Sequence, residues 1–177
     1  MVKTGHVDTF ARDNLPPRAQ WPEFKFDLPE LQYPEQINCV TEWVDRWVTG
    51  GQGGRSCLLS PTETLTYTQL HERVNRIANV LTRDLGMVPG NRVLLRAANN
   101  PMMVAAYFAV IKAGGIAVAT MPLLRAKELS YPLAKAKIAL ALCDVRLADE
   151  MTRPRRSRPN CSAWSIGAAW RPMRSKR

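Results

Sequence analysis

The sequence lacks the features that mark secreted or membrane proteins. Its longest apolar run, about residues 116–121, is far shorter than the roughly 20 residues that a membrane helix requires. The N-terminus lacks the basic and then apolar layout of a secretion signal. These absences lead us to expect a cytoplasmic protein that has no membrane partner.

Metal ligands and catalytic signatures are scarce as well. The chain has only 2 histidines and 4 cysteines, and no two cysteines have metal-site spacing. It contains no nucleophile elbow, Walker phosphate loop or dinucleotide-binding fingerprint. The glycine-rich stretch at 50–54 has no following lysine, and we expect it to end a helix and form a loop. We therefore expect free thiols, no bound metal and no catalytic residue.

Acidic residues are missing from residues 151–177, which contain eight basic ones. Removing these eight from the chain's 25 basic residues leaves 17 against 15 acidic ones, so the net charge of +10 lies almost wholly in this tail. The tail has no helical or strand period, and we expect it to be irregular. Three explanations are open: a disordered basic arm, a fusion, or a shifted reading frame. The third has support on paper, because a one-base shift in permitted codons for residues 159–165 gives a sequence typical of a helix end entering a strand.

Proline and aromatic residues dominate the opening of the chain. Five prolines among residues 1–36 exclude a long helix, and the aromatic rings there are expected to bury against a larger body. A short amphipathic helix is predicted over residues 37–48. We therefore expect an extended arm and short helix over 1–55, a partial α/β domain over 56–150 and a basic tail over 151–177.

Strand and helix patterns alternate between residues 56 and 150. A capping box formed by Thr66 and Gln69 starts one helix, and an Asn100 cap followed by proline starts the next. The second helix is predicted to bury Val104, Phe108 and Ile111. The strands that follow are apolar on both faces, which is typical of a parallel sheet covered by helices. The predicted fold class is α/β, an incomplete doubly wound parallel sheet with helices on both faces. The predicted strands lie at 56–60, which is expected to be buried, and at 65–67, 92–97, 116–120 and 138–143, and another helix is predicted at 127–137.

Four short segments in this region resemble a known enzyme family. Residues 65–70 read LTYTQL, residues 90–95 read GNRVLL, residues 99–101 read NNP, and residues 108–115 read FAVIKAGG. In this order they resemble the N-terminal part of the AMP-forming acyl-CoA synthetases, the adenylate-forming ligase superfamily. The HVDTFAR of residues 6–12 and the ATMPLLR of residues 119–125 are similar to the branch that acts on benzoate and 2-aminobenzoate.

The resemblance implies a two-step ligase reaction. A carboxylate, here an aromatic one, attacks the α-phosphate of ATP to give an acyl-adenylate and pyrophosphate, and coenzyme A then displaces AMP. ATP, Mg²⁺ and coenzyme A are the implied cofactors. The family's lysine-bearing phosphate loop and its other ATP motifs have no match here. We therefore expect an inactive N-terminal fragment that binds none of these cofactors.

One residue carries a possible role over from the family. Some relatives place a basic residue just after the proline of the loop that precedes the helix predicted here at 127–137. In those relatives this residue can contact a phosphate of coenzyme A. Leu123 occupies that place here, and Arg125 follows two positions later. Arg125 is the candidate for this contact, and an exposed helix-start arginine is the alternative.

The charge of the tail suggests a second candidate function. The clustered charges of the tail could bind nucleic acid or an anionic membrane, which would make the chain a non-catalytic interaction protein. The chain contains no nucleic-acid-binding motif, and we therefore do not expect a nucleic-acid partner.

Overall fold

A computed structural model describes residues 4–152 and the backbone of residues 162–166. The opening segment contains the short helix α1 (Phe10–Asp13) and the 3-10 turns Arg18–Gln20 and Pro29–Leu31. Two π-helical turns follow, Thr41–Asp45 and Val48–Gln52, and then a strand pair, β1 (Ser56–Leu59) and β2 (Thr64–Thr66). The body continues with α2 (Tyr67–Asn79), the π-helical turn Val80–Asp84, β3 (Arg92–Arg96), α3 (Pro101–Lys112), β4 (Ile116–Ala119), α4 (Ala126–Lys135), β5 (Leu140–Asp144), the 3-10 turn Val145–Leu147, α5 (Asp149–Thr152) and β6 (Ser162–Ile166).

A four-stranded parallel sheet forms the centre of the body. The strand order is β4-β3-β5-β6, and Val93 of β3 lies opposite Ala117 of β4 and Leu140 of β5. Every residue of β3 and β5 is buried. The prediction of an α/β fold with a parallel sheet is confirmed.

Helices cover both faces of this sheet, because alternate residues of a strand point to opposite sides. Val93 and Leu95 belong to an apolar cluster with residues of α2 and α3. Leu94 belongs to a second cluster with Leu129 and Leu133 of α4. The doubly wound arrangement expected from the sequence is therefore present.

The helix ends follow the predicted chemistry. The Thr66 hydroxyl accepts a hydrogen bond from the Gln69 amide at 3.3 Å, and the Gln69 side chain accepts one from the Thr66 amide at 2.9 Å. The Asn100 side chain accepts a hydrogen bond from the Met103 amide at 2.8 Å. The capping box and the asparagine cap are both confirmed.

Two predictions about the first part of the chain had different outcomes. The helical winding runs past residue 48 and is broken at Gly51, whose φ of +77° is not helical, so the glycine-rich stretch at 50–54 ends the helix as predicted. The strand predicted at 56–60 is not buried, since β1 pairs antiparallel with β2 outside the parallel sheet and Leu59 is 79% exposed.

The buried face of α3 also differs from the prediction. Its fully buried side chains are small, because α3 packs closely against α2 in one cluster. Val104, Phe108 and Ile111 are only partly buried and lie at the margins of this contact. The residues that fill it are Ala105, Ala106, Ala109 and Val110.

The tail expected to be irregular contains a strand. The backbone of β6 pairs in parallel with β5, and Leu140 lies opposite Ser162. Without that pairing, the outer edge of β5 would leave its amide and carbonyl groups without sheet partners. The rest of the predicted basic tail beyond Thr152 lies outside the described residues.

The aromatic residues of the arm do not bury against the body as expected. Trp21, Phe24, Phe26 and Tyr33 form a row in which neighbouring ring centroids lie 6.1 to 6.3 Å apart. Phe24, Phe26 and Tyr33 remain exposed. The rings therefore bury part of their apolar surface against one another instead of against the sheet and helices.

The start of the arm is tied to the amino end of the sheet. The Asp8 carboxylate accepts hydrogen bonds from the guanidinium of Arg92, which is buried, and from the Asn91 side chain at 2.9 Å. The Arg92 guanidinium also lies 4.8 Å from the centre of the Phe10 ring and donates to the Ala136 carbonyl at 2.8 Å. We call Asp8, Phe10, Asn91 and Arg92 the arm clasp.

The arm clasp predicts a loss of stability in acid. Burial raises the pKa of Asp8, but hydrogen bonds from Arg92, from the Phe10 amide and from Asn91 together lower it below its usual value of 3.8. A lowered pKa in the folded state gives stability that is present above the unfolded value and is lost as pH falls through the folded value. We expect the urea midpoint to fall between about pH 5 and about pH 3, and Asp8→Asn to flatten this dependence. Equal slopes for the two chains would contradict the role of Asp8.

Candidate functional site

The carboxyl edge of the parallel sheet holds the candidate site. From β3 the chain passes through α3 to β4 on one side, and from β5 it leads to β6 on the other side. The strand order therefore changes direction between β3 and β5. In doubly wound sheets, ligands bind in the crevice outside the strand ends at such a point. The strand ends here are Arg96 and Asp144.

Arg96 is a buried charge at this edge. Its side chain is 1% exposed and donates to the carbonyl oxygens of Met121, Pro122 and Leu124 at 3.1, 2.9 and 2.7 Å. Its Nε is buried and has no hydrogen-bond partner among the described residues. The sequence analysis missed this residue, although a charge that ends the apolar run of residues 93–95 was a signal for it.

Cys143 lies opposite Arg96 in the strand register. Burial raises the pKa of this thiol to about 12, and the nearby Arg96 charge offsets only part of that effect. A thiol with so high a pKa stays protonated near neutral pH and is a poor nucleophile. Cys143 is therefore a core residue.

Arg125 stands immediately before α4, at the end of the loop that Arg96 holds. Its amide donates to the Glu128 carboxylate at 2.6 Å, and the Ala126 amide donates to the Glu150 carboxylate at 2.8 Å. Two carboxylates thus occupy the amino end of α4, which leaves no room there for an external anion. The sequence analysis did not predict this role for Glu150.

The Arg125 guanidinium itself remains accessible. Its side chain is 78% exposed, and its Nη1 lies 3.4 Å from a Glu150 carboxylate oxygen. A pair of this length, exposed on the arginine side, holds the guanidinium only weakly. Arg125 can therefore turn toward an anion at the carboxyl edge. The structure shows the exposed helix-start arginine predicted as the alternative, in a position that suits the anion contact.

Asp144 ends β5 on the other side of the crevice and is paired locally. It accepts from the Arg146 guanidinium at 2.7 Å and from the Arg146 amide at 2.9 Å. Its hydrogen bonds with the Arg146 side chain hold the pKa of Asp144 below its usual value, against the opposing effect of burial. Asp144 is therefore a poor proton acceptor.

Residues 4–152 contain no group of three or more histidine, cysteine or acidic side chains placed to hold a metal ion. None of the helices in that range is both long and apolar enough to cross a bilayer. His71 is partly buried and lies 3.5 Å from the Asp45 carboxylate, which also accepts from Lys112 at 2.7 Å. These contacts join the turn Thr41–Asp45 to α2 and α3. None of the three residues lies at the carboxyl ends of the strands.

Comparison with known proteins places most of the chain in one family. A model of the family described as AMP-binding enzyme matches residues 44–171. The match and β6 both extend beyond residue 150, where the sequence had suggested that the family-like part ends.

The chain is similar to two ligases of Thauera aromatica. It is 27% identical to a benzoate–CoA ligase over 119 residues, which cover 67% of this chain and 23% of that protein. It is 28% identical to a 3-hydroxybenzoate–CoA/4-hydroxybenzoate–CoA ligase over 132 residues, which cover 71% of this chain and 25% of that protein. The chain thus spans about a quarter of the length of these relatives.

The fold matches a solved structure as well. The anthranilate CoA ligase AuaEII, solved with anthranoyl-AMP, superposes with a TM-score of 0.70 at 23% identity. The match covers 76% of this chain and 26% of that one. The sheet and helices described above therefore have the same fold as about a quarter of that solved structure.

Proposed function

The chain belongs to the AMP-binding enzyme family, and from that premise we propose that it is the N-terminal portion of an aryl-CoA ligase. The observation that carries this proposal is its similarity to two ligases of aromatic acids across two thirds or more of its length. The proposed reaction is that of the family branch. An aromatic carboxylate attacks the α-phosphate of ATP and releases pyrophosphate, and the thiol of coenzyme A then displaces AMP from the acyl-adenylate.

We assign the scaffold of this reaction to the described residues and the ATP chemistry to other parts of the ligase. Mg²⁺ would neutralise the polyphosphate of ATP, but residues 4–152 contain no acidic cluster that fits this ion. The site residue proposed here is Arg125, whose exposed guanidinium suits a phosphate of coenzyme A. The proposed organisation is an arm and helical segment over 1–55, the α/β body over 56–150 and a basic segment over 151–177, in a cytoplasmic protein.

Because we assign the ATP chemistry to other parts of the ligase, we predict that this chain alone makes no thioester. We expect no AMP and no aryl-CoA from benzoate or 2-aminobenzoate with ATP, Mg²⁺ and coenzyme A, because the ATP-binding parts are supplied elsewhere. Chromatography of the reaction mixture measures both products, and a complete benzoate–CoA ligase under the same conditions serves as the control. Turnover above that of a heat-treated sample would contradict the assignment.

The basic segment favours a second candidate, a non-catalytic chain that binds nucleic acid or an anionic membrane. Its eight clustered charges would make such binding steeply dependent on salt. Filter binding to RNA and DNA, and sedimentation with anionic vesicles, should be compared for the whole chain and a version that ends at Glu150. Equal affinities of the two versions would remove the tail from consideration.

The proposed reading-frame change has a separate test, which is the coding sequence itself. A single-base shift near the codons for residues 150–160 should restore a reading frame that encodes the family's phosphate loop downstream. If no such shift does so, the basic segment is the intended product.

A further inference from the structure

The loop between β4 and α4 is held by one buried charge. Arg96 reaches out of the sheet and binds three backbone carbonyls of this loop, those of Met121, Pro122 and Leu124. The side chains of Met121 and Leu123 point the other way and are exposed. The loop therefore turns three carbonyl groups inward to Arg96 and the side chains of Met121 and Leu123 outward, while Leu124 packs against the core cluster of α4.

This arrangement is costly for a core position. The described residues place no carboxylate in an ion pair with Arg96, so its charge is met by carbonyl dipoles alone. Its Nε lies buried without a partner. Taking a guanidinium out of water without a counter-ion is unfavourable, and an apolar residue would fill the same place at lower cost. Such a charge is explained when it fixes a conformation that an apolar side chain would leave free.

The conformation that it fixes leads directly to Arg125. The shortest of the three bonds, at 2.7 Å, goes to the carbonyl of Leu124, the residue before Arg125. On the other side, the amides of Arg125 and Ala126 are bound by Glu128 and Glu150. The Arg125 backbone is thus held from both directions, and its guanidinium, which meets Glu150 at 3.4 Å, is the part that reaches solvent.

We infer that Arg96 is a positioning residue that holds the Met121–Leu124 loop so that Arg125 can contact a phosphate group of coenzyme A. This inference rests on the proposed function, since it takes coenzyme A as the source of the phosphate. It departs from the expectation, drawn from the sequence, that the chain binds none of the family's cofactors. Arg96 touches no ligand in this role and acts only through the loop.

The test compares coenzyme A with dephospho-coenzyme A, which lacks the 3′-phosphate. Each is titrated into the isotope-labelled 177-residue chain, and the amide NMR signals of residues 123–126 are followed. We expect coenzyme A to shift these signals with an apparent affinity about tenfold higher than dephospho-coenzyme A, and inorganic phosphate to compete. A chain that responds equally to both compounds would overturn the inference.

Three variants separate positioning from contact. Arg125→Ala should remove the preference for coenzyme A, and Arg96→Met should reduce it severalfold. Arg96→Lys keeps the charge but donates from one nitrogen, so it should fold and still lose much of the preference. Arg83→Met removes an exposed arginine of the turn that follows α2 and should change nothing. An Arg96→Lys chain with the full preference would overturn the inference.

The unmodified chain supplies a measurement that needs no variant. The Nε–H signal of Arg96 should shift with coenzyme A and stay in place with dephospho-coenzyme A, because the bound phosphate tightens the loop around it. An unchanged Nε–H signal during saturation with coenzyme A would contradict the role of Arg96. Thioester formation by the chain alone would overturn the proposed division of labour and leave these titration results standing, so the two failures can be told apart.

Discussion

Replacing Gly90 by alanine should detach the N-terminal arm around Asp8 from the sheet and lower the free energy of unfolding by about 3 kcal/mol. Gly90 has a φ of +93°, which L side chains rarely adopt. An added Cβ would also overlap the Asp8 carbonyl oxygen and lie 2.9 Å from the His6 Cβ. The arm must move to make room, and the hydrogen bonds of Asp8 to Arg92 and Asn91 are then lost.

Gly86 provides a matched control for this substitution. It also has a positive φ, +64°, but a Cβ there would meet no atom within 4 Å. Gly86→Ala should therefore cost only the backbone strain, about 1 kcal/mol. Urea unfolding measures both, and limited trypsin digestion at Arg12 and Arg18 reports whether the arm has been released. Equal costs for the two variants, with no faster cleavage in Gly90→Ala, would contradict the close packing of the arm.

Enlarging Ala109 should have the second large effect, a loss of about 2 to 3 kcal/mol for Ala109→Leu. Ala109 is fully buried, and α3 shares a core cluster there with Leu70, Val74 and Ile77 of α2. A close-packed contact has no space for the three extra carbon atoms, so the two helices must separate. Thermal melting followed by circular dichroism measures the loss.

Tyr107→Leu is the control on the same helix. The Tyr107 side chain is 39% exposed, and its ring contacts Phe108 with centroids 6.1 Å apart. Its replacement should cost less than about 1 kcal/mol. The face predicted from the sequence leaves Ala109 toward solvent and makes Ala109→Leu nearly harmless. A harmless Ala109→Leu would therefore favour that face and contradict the observed packing.

The same helix shows why the sequence predicted the fold but not its packing. The start of α3, with its asparagine cap and the proline that follows, depends on local chemistry and was predicted. Which of its sides is buried depends on how near α2 approaches. Large apolar residues such as Phe108 suggest a core face, yet a close helix pair selects alanine instead.

The candidate site was predictable to a similar extent. The resemblance to family motifs identified Arg125, and the structure places it at the carboxyl edge of the sheet. Arg96 and Glu150 were missed because their partners lie 24 to 28 residues away in the sequence. The row of exposed aromatic rings in the arm was missed for a related reason, since apolar residues pack on one another when no larger surface is in reach.

The most direct test of the account is an exchange of equivalent segments between two proteins. The benzoate–CoA ligase of Thauera aromatica, with its matching segment replaced by residues 44–152 of this chain, should form benzoyl-CoA from benzoate, ATP and coenzyme A. The matched control carries Ala109→Leu in the same chimera and should lose activity together with stability. Benzoyl-CoA above the level of that control is the predicted result. A chimera that folds with the melting temperature of the parent enzyme and makes no thioester would contradict the proposal that this chain is part of an aryl-CoA ligase.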